Sequence, residues 1–377
     1  MVLQCLLELP CLSCYLSALG ARGWIFPAHS KQRVRIMSVK NVAVLGGGSF
    51  GTVIANIIAN NRHKTLLWMR DADQVASLNT LHENINYLPG YKLHKDVVAT
   101  DDLEEAVRDV DLIFVAVPSG SFRDVVRQVR PLLHQDMILV SLTKGIEAKT
   151  FALMSQILAE ETSNRHIAVL SGPNLAKEIA ISSPTGAVVA SKDPMVVDEV
   201  QNVLRSDSFR VYSNNDMLGV ELGGSLKNIY AIIAGLAESM GMGHNTNAML
   251  VTRSLTEMAR FGVALGADPM TFLGLSGVGD LIVTCSSPLS RNFRVGKALG
   301  EGKDIELVIS EMDQVAEGVN TLKQVREKAV ELDVKMPLVN GLYEIVYNNQ
   351  TVDHIINSLM LEEHGLDVEY AVGGLKG

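Results

Sequence analysis

The chain has 377 residues, 47% hydrophobic and 20% charged, enough for two domains with well-buried cores. Its formal net charge of -9, from 33 Lys and Arg against 42 Asp and Glu, excludes a broad basic footprint for nucleic acid. An anion site, if present, has to be local.

Residues 1–36 differ from the rest, holding Cys5, Cys11 and Cys14, with Cys285 the one cysteine beyond them. Cys11 and Cys14 form a C-x-x-C, but no second pair, histidine cluster or βαβ frame accompanies it, so metal or redox use is not expected. No positive charge precedes the apolar run, Glu8 and Pro10 interrupt it, and the uncharged stretch after Glu8 is too short for a bilayer. Neither a secretory signal nor stable membrane insertion is therefore expected. Met37 sits just ahead of the first convincing strand, so residues 1–36 read as untranslated or as an unstructured extension. With those cysteines set aside, the remainder reads as a reduced, cytoplasmic protein.

From Lys40 to about Ser213, short apolar runs alternate with helical periods. VAVL (42–45), TLLWM (65–69), LIFVAVP (112–118), MILVSL (137–142) and HIAVLS (166–171) read as strands rich in Val, Ile and Leu. SFRDVVRQVRPLL (121–133) reads as a helix capped by Ser119 or Ser121. Continuously apolar strands separated by helices imply a parallel sheet covered on both faces, and 185–191 and 209–213 are candidates to extend it.

After about Leu222 the strand signals nearly vanish. SLKNIYAIIAGLAESM places Leu226, Ile229, Ile233 and Leu236 on one helical stripe, with Lys227 and Asn228 near the helix start. A second helix ends at Gly266, Pro269 starts a third, and the rest also reads helical. The fold class expected is α/β: a dinucleotide-binding domain over 37–222, then an all-helical substrate domain over 223–377.

Gly46-Gly47-Gly48-Ser49-Phe50-Gly51 is G-x-G-x-x-G between a strand and a helix. Gly46 allows the tight turn, Gly48 lets the backbone approach a pyrophosphate, and Gly51 lets the helix pack on the sheet. The helix N-terminus then faces the phosphates. In this strand–turn–helix context the pattern indicates a Rossmann-type dinucleotide site. At the end of the second strand, where an acid usually takes the NAD ribose, Arg70 precedes Asp71. That order fits NADPH somewhat better, leaves dual NAD(P) use open, and also fits a solvated loop charge.

Four further stretches carry chemistry. SLTKGIE puts Lys144 just after an apolar strand, at the carboxyl edge where such sheets bind ligands, and SGPNLAKE ends another strand with Gly172, Pro173 and Asn174. In the helix after Leu222, the same-face neighbours of Lys227, namely Gly224, Ala231 and Ala234, are small. Desolvation there, with Lys144 as a second cation, would lower the Lys227 pKa into the range useful for proton transfer. A Gly- and Ser-rich segment then carries Asp280, Thr284, Arg291 and Asn292. The scattered histidines show no ligand spacing, so no metal is expected.

Together GGGSFGT, LTKGIE, SGPNLAKE, LKNIYAIIAG, GDLIVTCSSPLSRN and VAEGV resemble the NAD(P)-dependent sn-glycerol-3-phosphate dehydrogenases of the bacterial type, over about Val39 to Asp367. The resemblance implies reversible hydride transfer between NAD(P)H and dihydroxyacetone phosphate, supplying the glycerophospholipid backbone. It makes Lys227 the proton acceptor and has Lys144 polarise the carbonyl while Asp280 orients the lysines. Lys144, Gly172, Asn174, Lys227, Asp280, Ser290, Arg291 and Asn292 match substrate-holding positions. Gly46, Gly48, Ser49, Phe50, Gly51, Arg70, Lys144, Ala176, Arg291, Val315 and Glu317 match the cofactor side. Asn174 departs from the Ser or Thr usual there, and its amide can still hydrogen-bond. The implied partner is a small phosphorylated substrate, with a homodimer as the assembly and no nucleic acid. A 3-hydroxy acid dehydrogenase of the same two-domain plan would lack a reason for Arg291–Asn292 beside Asp280. A non-enzymatic dinucleotide-sensing module would need neither lysine.

Overall fold

The computed structural model describes residues 39–310 and 316–361; the expectations for 1–36 and for Val315 lie outside the described residues. The described residues begin with β1 (Asn41–Leu45), α1 (Ser49–Asn60), β2 (Lys64–Trp68), α2 (Ala72–Leu81), β3 (Val97–Thr100), α3 (Leu103–Val107), β4 (Leu112–Val115) and α4 (Ser119–Val129). They continue with β5 (Ile138–Ser141), α5 (Met154–Glu161), β6 (Ile167–Ser171), α6 (Ala176–Ala180), β7 (Thr185–Ala190), α7 (Pro194–Leu204) and β8 (Phe209–Asn214). The helical part follows as α8 (Met217–Ser239), α9 (His244–Ala264), α10 (Asp280–Ser286), α11 (Arg291–Gly300), α12 (Ile305–Ser310), α13 (Glu317–Glu331), α14 (Pro337–Asn348) and α15 (Val352–Leu361).

The strands form one sheet in the order β3-β2-β1-β4-β5-β6-β7-β8. Successive β1 residues alternate between its faces. Val42 and Val44 pack with Val53, Ile54 and Ile58 of α1, while Ala43 and Leu45 pack with Val107, Phe122 and Ile157. Both faces are buried, which is why the strands are apolar throughout rather than alternating. The α/β plan with a helical C-terminal part is as expected.

Several local expectations need correction or addition. β7 runs antiparallel to β6, within an otherwise parallel sheet. Between them α6 has five residues, roughly 7–8 Å of helix, too short to return the chain along a five-residue strand. β3 was not anticipated: its four residues follow a long polar stretch. Neither Ser119 nor Ser121 caps α4, which starts after Pro118 with no side-chain cap; the Ser119 hydroxyl is taken by Glu317 instead. Pro269 opens a short 3-10 turn (Pro269–Leu273), followed by a π-helical turn (Leu275–Gly279) that runs straight into α10.

α8 is the spine of the helical part, buried on nearly every side. Its N-cap, Asp216, accepts from Gly219 N at 2.9 Å, so the helix begins well before Leu222 and Lys227 lies in its middle rather than near its start. α11 crosses α8 almost backbone to backbone. A Cβ on Gly296 would lie 1.8 Å from the Ile232 carbonyl oxygen, and one on Gly235 would lie 1.9 Å from that of Phe293. Among the described residues, no helix is long and apolar enough to cross a membrane.

Candidate active site

The β1–α1 turn is shaped by what its glycines permit. Gly46 sits at φ +120°, and a Cβ there would lie 2.6 Å from the Ala116 carbonyl oxygen at the end of β4. A Cβ on Gly51 would lie 2.0 Å from the Gly46 oxygen, so α1 seats on the turn only because that position is bare. Around Gly48, by contrast, nothing comes within 4 Å of the Cβ position. Gly48 also stands at the N-cap of α1 without a side-chain cap, leaving the first amides of α1 facing that open space. The Ser49 hydroxyl donates to Tyr87 O (2.7 Å), so its amide is the donor left for a ligand. Phe50 packs partly against the core. Buried Asn84 braces the turn by donating to Gly47 O at 2.8 Å, a contact with no signal in the local sequence.

At the end of β2, Asp71 is committed to a structural task. It caps α2, accepting from the amides of Asp73 (3.0 Å) and Gln74 (3.1 Å), and its second oxygen accepts from the Gln74 side chain. Arg70, beside it, is exposed.

The carboxyl ends of β5 and β6 meet α8 and α10 at a charged cluster. Lys144, three residues beyond β5, donates to Gly172 O (2.9 Å) and to Asp280 Oδ2 (2.6 Å). Lys227 donates to Asp280 Oδ1 (2.5 Å) and to Thr284 Oγ1 (2.7 Å). Asp280 is 1% exposed and Lys227 7%, so one carboxylate serves two ammonium groups nearly out of water. Burial pushes the Lys227 pKa down to about 8; Asp280 opposes the shift and the Lys144 charge adds to it. The π-helical turn delivers Asp280 here by pressing on α8 at a bare position, since a Cβ on Gly223 would lie 2.5 Å from Ser276 O. Thr284, one helical turn after Asp280, was visible in the sequence as a neighbour but not as a partner of Lys227.

Two buried polar side chains line this cluster without hydrogen-bond partners: Ser171 Oγ and both amide atoms of Asn174. The Asn174 amide nitrogen lies 3.5 Å from the Gly172 Cβ position, beside the carbonyl that Lys144 holds. Unsatisfied buried groups are rare and costly, and a polar ligand would satisfy these.

Around the cluster, α11 opens with Ser290, Arg291 and Asn292. Ser290 is buried and its hydroxyl caps α11 through the Phe293 amide (3.3 Å). Asn292 Oδ1 accepts from Gly318 N (3.0 Å), leaving its amide nitrogen as the donor. Exposed Arg291 interacts electrostatically with Glu317, whose carboxylate accepts from the Ser119 hydroxyl (2.7 Å) and amide (3.4 Å). Burial raises the Glu317 carboxyl, partly offset by Ser119 and Arg291. Glu317 Oε2 also lies 3.4 Å from the Cβ position of Gly145, next to Lys144. Ala176 begins α6, which packs on α1. Thus Lys144, Gly172, Asn174, Lys227 and Asp280 form one group, with Arg291 and Glu317 linked to it through Ser119 and Gly145. The glycine turn and Arg70 lie further along the same sheet edge. Ser119 was read in the sequence only as a cap, and its link to Glu317, far along the chain, left no local signal.

Cys285, next to Thr284, is buried and its thiol is pushed up to about 12 by that burial, which leaves it inert. Among the described residues no group of His, Cys, Asp and Glu could hold a metal ion.

The bare Gly48 turn at the start of α1 fits a pyrophosphate, and a desolvated lysine at the same end of the sheet fits proton transfer. This fold and site define the class of Rossmann-type NAD(P)-dependent dehydrogenases. Family models narrow the class. The N-terminal model of NAD-dependent glycerol-3-phosphate dehydrogenase matches residues 41–197 and the C-terminal model residues 216–357. The glycerol-3-phosphate dehydrogenase [NAD(P)+] of Saccharophagus degradans is 54% identical over 351 residues, 93% of this chain and 98% of that relative. That of Pseudomonas aeruginosa PAO1 is 54% identical over 329 residues, covering 87% and 96%. The crystal structure of glycerol-3-phosphate dehydrogenase from Coxiella burnetii matches at 35% identity with a TM-score of 0.82, covering 86% of this chain and 99% of that one. The chain belongs to the NAD-dependent glycerol-3-phosphate dehydrogenase family.

Proposed function

We propose that the protein catalyses reversible hydride transfer between NAD(P)H and dihydroxyacetone phosphate, giving sn-glycerol 3-phosphate. The single observation that carries the chemistry is the Lys227–Asp280–Lys144 cluster beside unpartnered Asn174 and Ser171. When bound, NAD(P)H supplies the hydride to the carbonyl carbon. Lys227 gives a proton to the carbonyl oxygen in reduction and takes it from the secondary hydroxyl in oxidation, a task suited to a pKa of about 8. Lys144 polarises that oxygen, and Asp280 holds both ammonium groups together while offsetting part of their charge. Arg291 offers the planar fork that suits a phosphate dianion, and the Asn292 amide nitrogen adds a neutral donor. Gly172 turns the chain so that its carbonyl holds Lys144. Ser290 contributes by fixing the start of α11.

On the cofactor side, the amides of Ser49 and Phe50, the bare faces of Gly46, Gly48 and Gly51, and the ends of α6 at Ala176 and α13 at Glu317 frame the dinucleotide. Arg70 meets the adenosine end, and with Asp71 occupied as a cap the arrangement favours NADPH. Functionally the chain divides into a cofactor-holding part, 37–222, and a substrate-holding part, 223–377, with α8 crossing the division. Exposed Ile282, Leu289, Leu307 and Ile309 support a homodimer, and a free buried Cys285 suits a reducing cytoplasm. The product is a glycerophospholipid precursor. A turnover assay on dihydroxyacetone phosphate with NADH and with NADPH tests the reading; no turnover with either cofactor refutes it.

A further inference from the structure

The loop between β5 and α5 carries Lys144, and its position is set from outside. On one side of Lys144, the Thr143 hydroxyl donates to Val117 O (2.7 Å) at the end of β4. On the other, Ser225 Oγ accepts from Gly145 N (2.9 Å) and reaches Gly145 O (3.3 Å). One hydroxyl thus engages both main-chain polar atoms of the residue next to Lys144. Ser225 is 1% exposed, so no water replaces it.

Ser225 belongs to a face of α8 that follows the loop. Glu221, one turn earlier, accepts from Ser155 N (2.9 Å) and Ser155 Oγ at the start of α5. Between them Gly224 is bare, and its Cβ position lies 3.4 Å from Cγ and Cδ of Lys144, so the lysine stem rests on helix backbone. Positions 221, 224 and 225 share a face by helical spacing. The helix that presents Lys227 therefore also seats Lys144.

Building on the proposed reaction, we propose that Ser225 is a positioning residue, its hydroxyl fixing the main chain at Gly145 so that Lys144 reaches Asp280 opposite Lys227. Without that hydroxyl the buried Gly145 amide loses its partner, and the loop gains by moving to find another. Lys144 then leaves Asp280, and its charge leaves the neighbourhood of Lys227. The groups facing Lys227 are Lys144 from this loop and Asp280, Thr284 and Cys285 from α10. Of these only Lys144 moves.

The test uses the full chain and begins with a readout independent of turnover: competitive acetylation of lysines, followed by peptide mass spectrometry. Ser225→Ala should label Lys144 about 5- to 10-fold faster than the parent does, whereas Ser225→Thr, which keeps the hydroxyl, should label it at the parent rate. Turnover of dihydroxyacetone phosphate should fall about 10- to 100-fold in Ser225→Ala. The pH at which reduction is half lost should move upward, because a neighbouring cation has withdrawn. In a Lys144→Met background, Ser225→Ala should cost nothing further in turnover or in the pH midpoint. Unchanged labelling of Lys144 in Ser225→Ala overturns the proposal whatever the turnover. So does a lowered melting temperature with unchanged turnover and pH midpoint. Parent enzyme without turnover, but with faster Lys144 labelling in Ser225→Ala, refutes the assigned reaction and leaves the positioning role standing.

Discussion

Lys144 and Lys227 bind opposite oxygens of the same carboxylate, at 2.6 and 2.5 Å from Asp280. They come from different parts of the fold, and among the described residues Asp280 is the carboxylate that offsets their mutual repulsion at that point. Asp280→Asn should therefore do more than remove a hydrogen-bond acceptor. Losing the partner of a buried charge costs about 3–5 kcal/mol, which a denaturant midpoint would report. It should also lower the pH at which reduction is half lost, since Asp280 is the group that holds the Lys227 pKa up. An unchanged midpoint would separate Asp280 from Lys227.

The cofactor end makes a narrower claim. Arg70→Ala should weaken NADPH about 10- to 100-fold, the worth of a charge-assisted contact, and leave NADH within about twofold. Equal losses for both cofactors, measured by fluorescence titration, would take Arg70 out of phosphate recognition.

Packing carries its own prediction. Gly296→Ala would drive a methyl to 1.8 Å from the Ile232 carbonyl, so α11 must lift from α8. Destabilisation of at least about 3 kcal/mol is expected, at or beyond the top of the usual overpacking range. Because Arg291 and Asn292 open α11, the Michaelis constant for the phosphorylated substrate should rise with it. Gly90→Ala, with nothing within 4 Å of its Cβ position, is the control for space, though its φ of +85° adds backbone strain.

Stability should also depend on pH through Glu257. Burial raises its carboxyl from the usual 4.5 to about 7, although it accepts from Leu338 N (2.7 Å) and Tyr230 OH (3.2 Å). The folded state then holds more protons than the unfolded one between those values. Stability from this group is full below about pH 4.5 and lost as pH rises through about 7, amounting to up to about 3 kcal/mol. Glu257→Gln should flatten that part of the urea-midpoint profile; an unaltered slope would show that burial does not raise this carboxyl.

Much of this was legible in the sequence because the constraint was local. The glycine turn needs a bare residue at each tight approach, and a strand followed by that turn admits few other readings. Lys227 stood out because a cation within an apolar helix demands a partner. Its partner Asp280 came only with the family resemblance, since it reaches both lysines through a π-helical turn pressed on Gly223, far along the chain. The antiparallel β7 was hidden because strand direction leaves no mark on an apolar run. Ser119 read as an ordinary cap, and only the folded chain turns its hydroxyl to Glu317.

Substrate recognition separates from proton transfer at Arg291. Arg291→Ala should raise the Michaelis constant for dihydroxyacetone phosphate strongly and barely affect unphosphorylated dihydroxyacetone, at saturating cofactor. Equal damage to both substrates would move Arg291 to the cofactor side.

The most direct measurement is the pH dependence of both reaction directions in the parent protein and in Lys227→Ala. Reduction needs the Lys227 ammonium and should fall as pH rises through about 8; oxidation needs the free amine and should rise through the same pH. In Lys227→Ala both should drop by about three orders of magnitude or more, with cofactor still bound and the titration near pH 8 gone. If both directions instead respond to pH in the same sense, or the titration survives in Lys227→Ala, Lys227 is not the group that carries the proton.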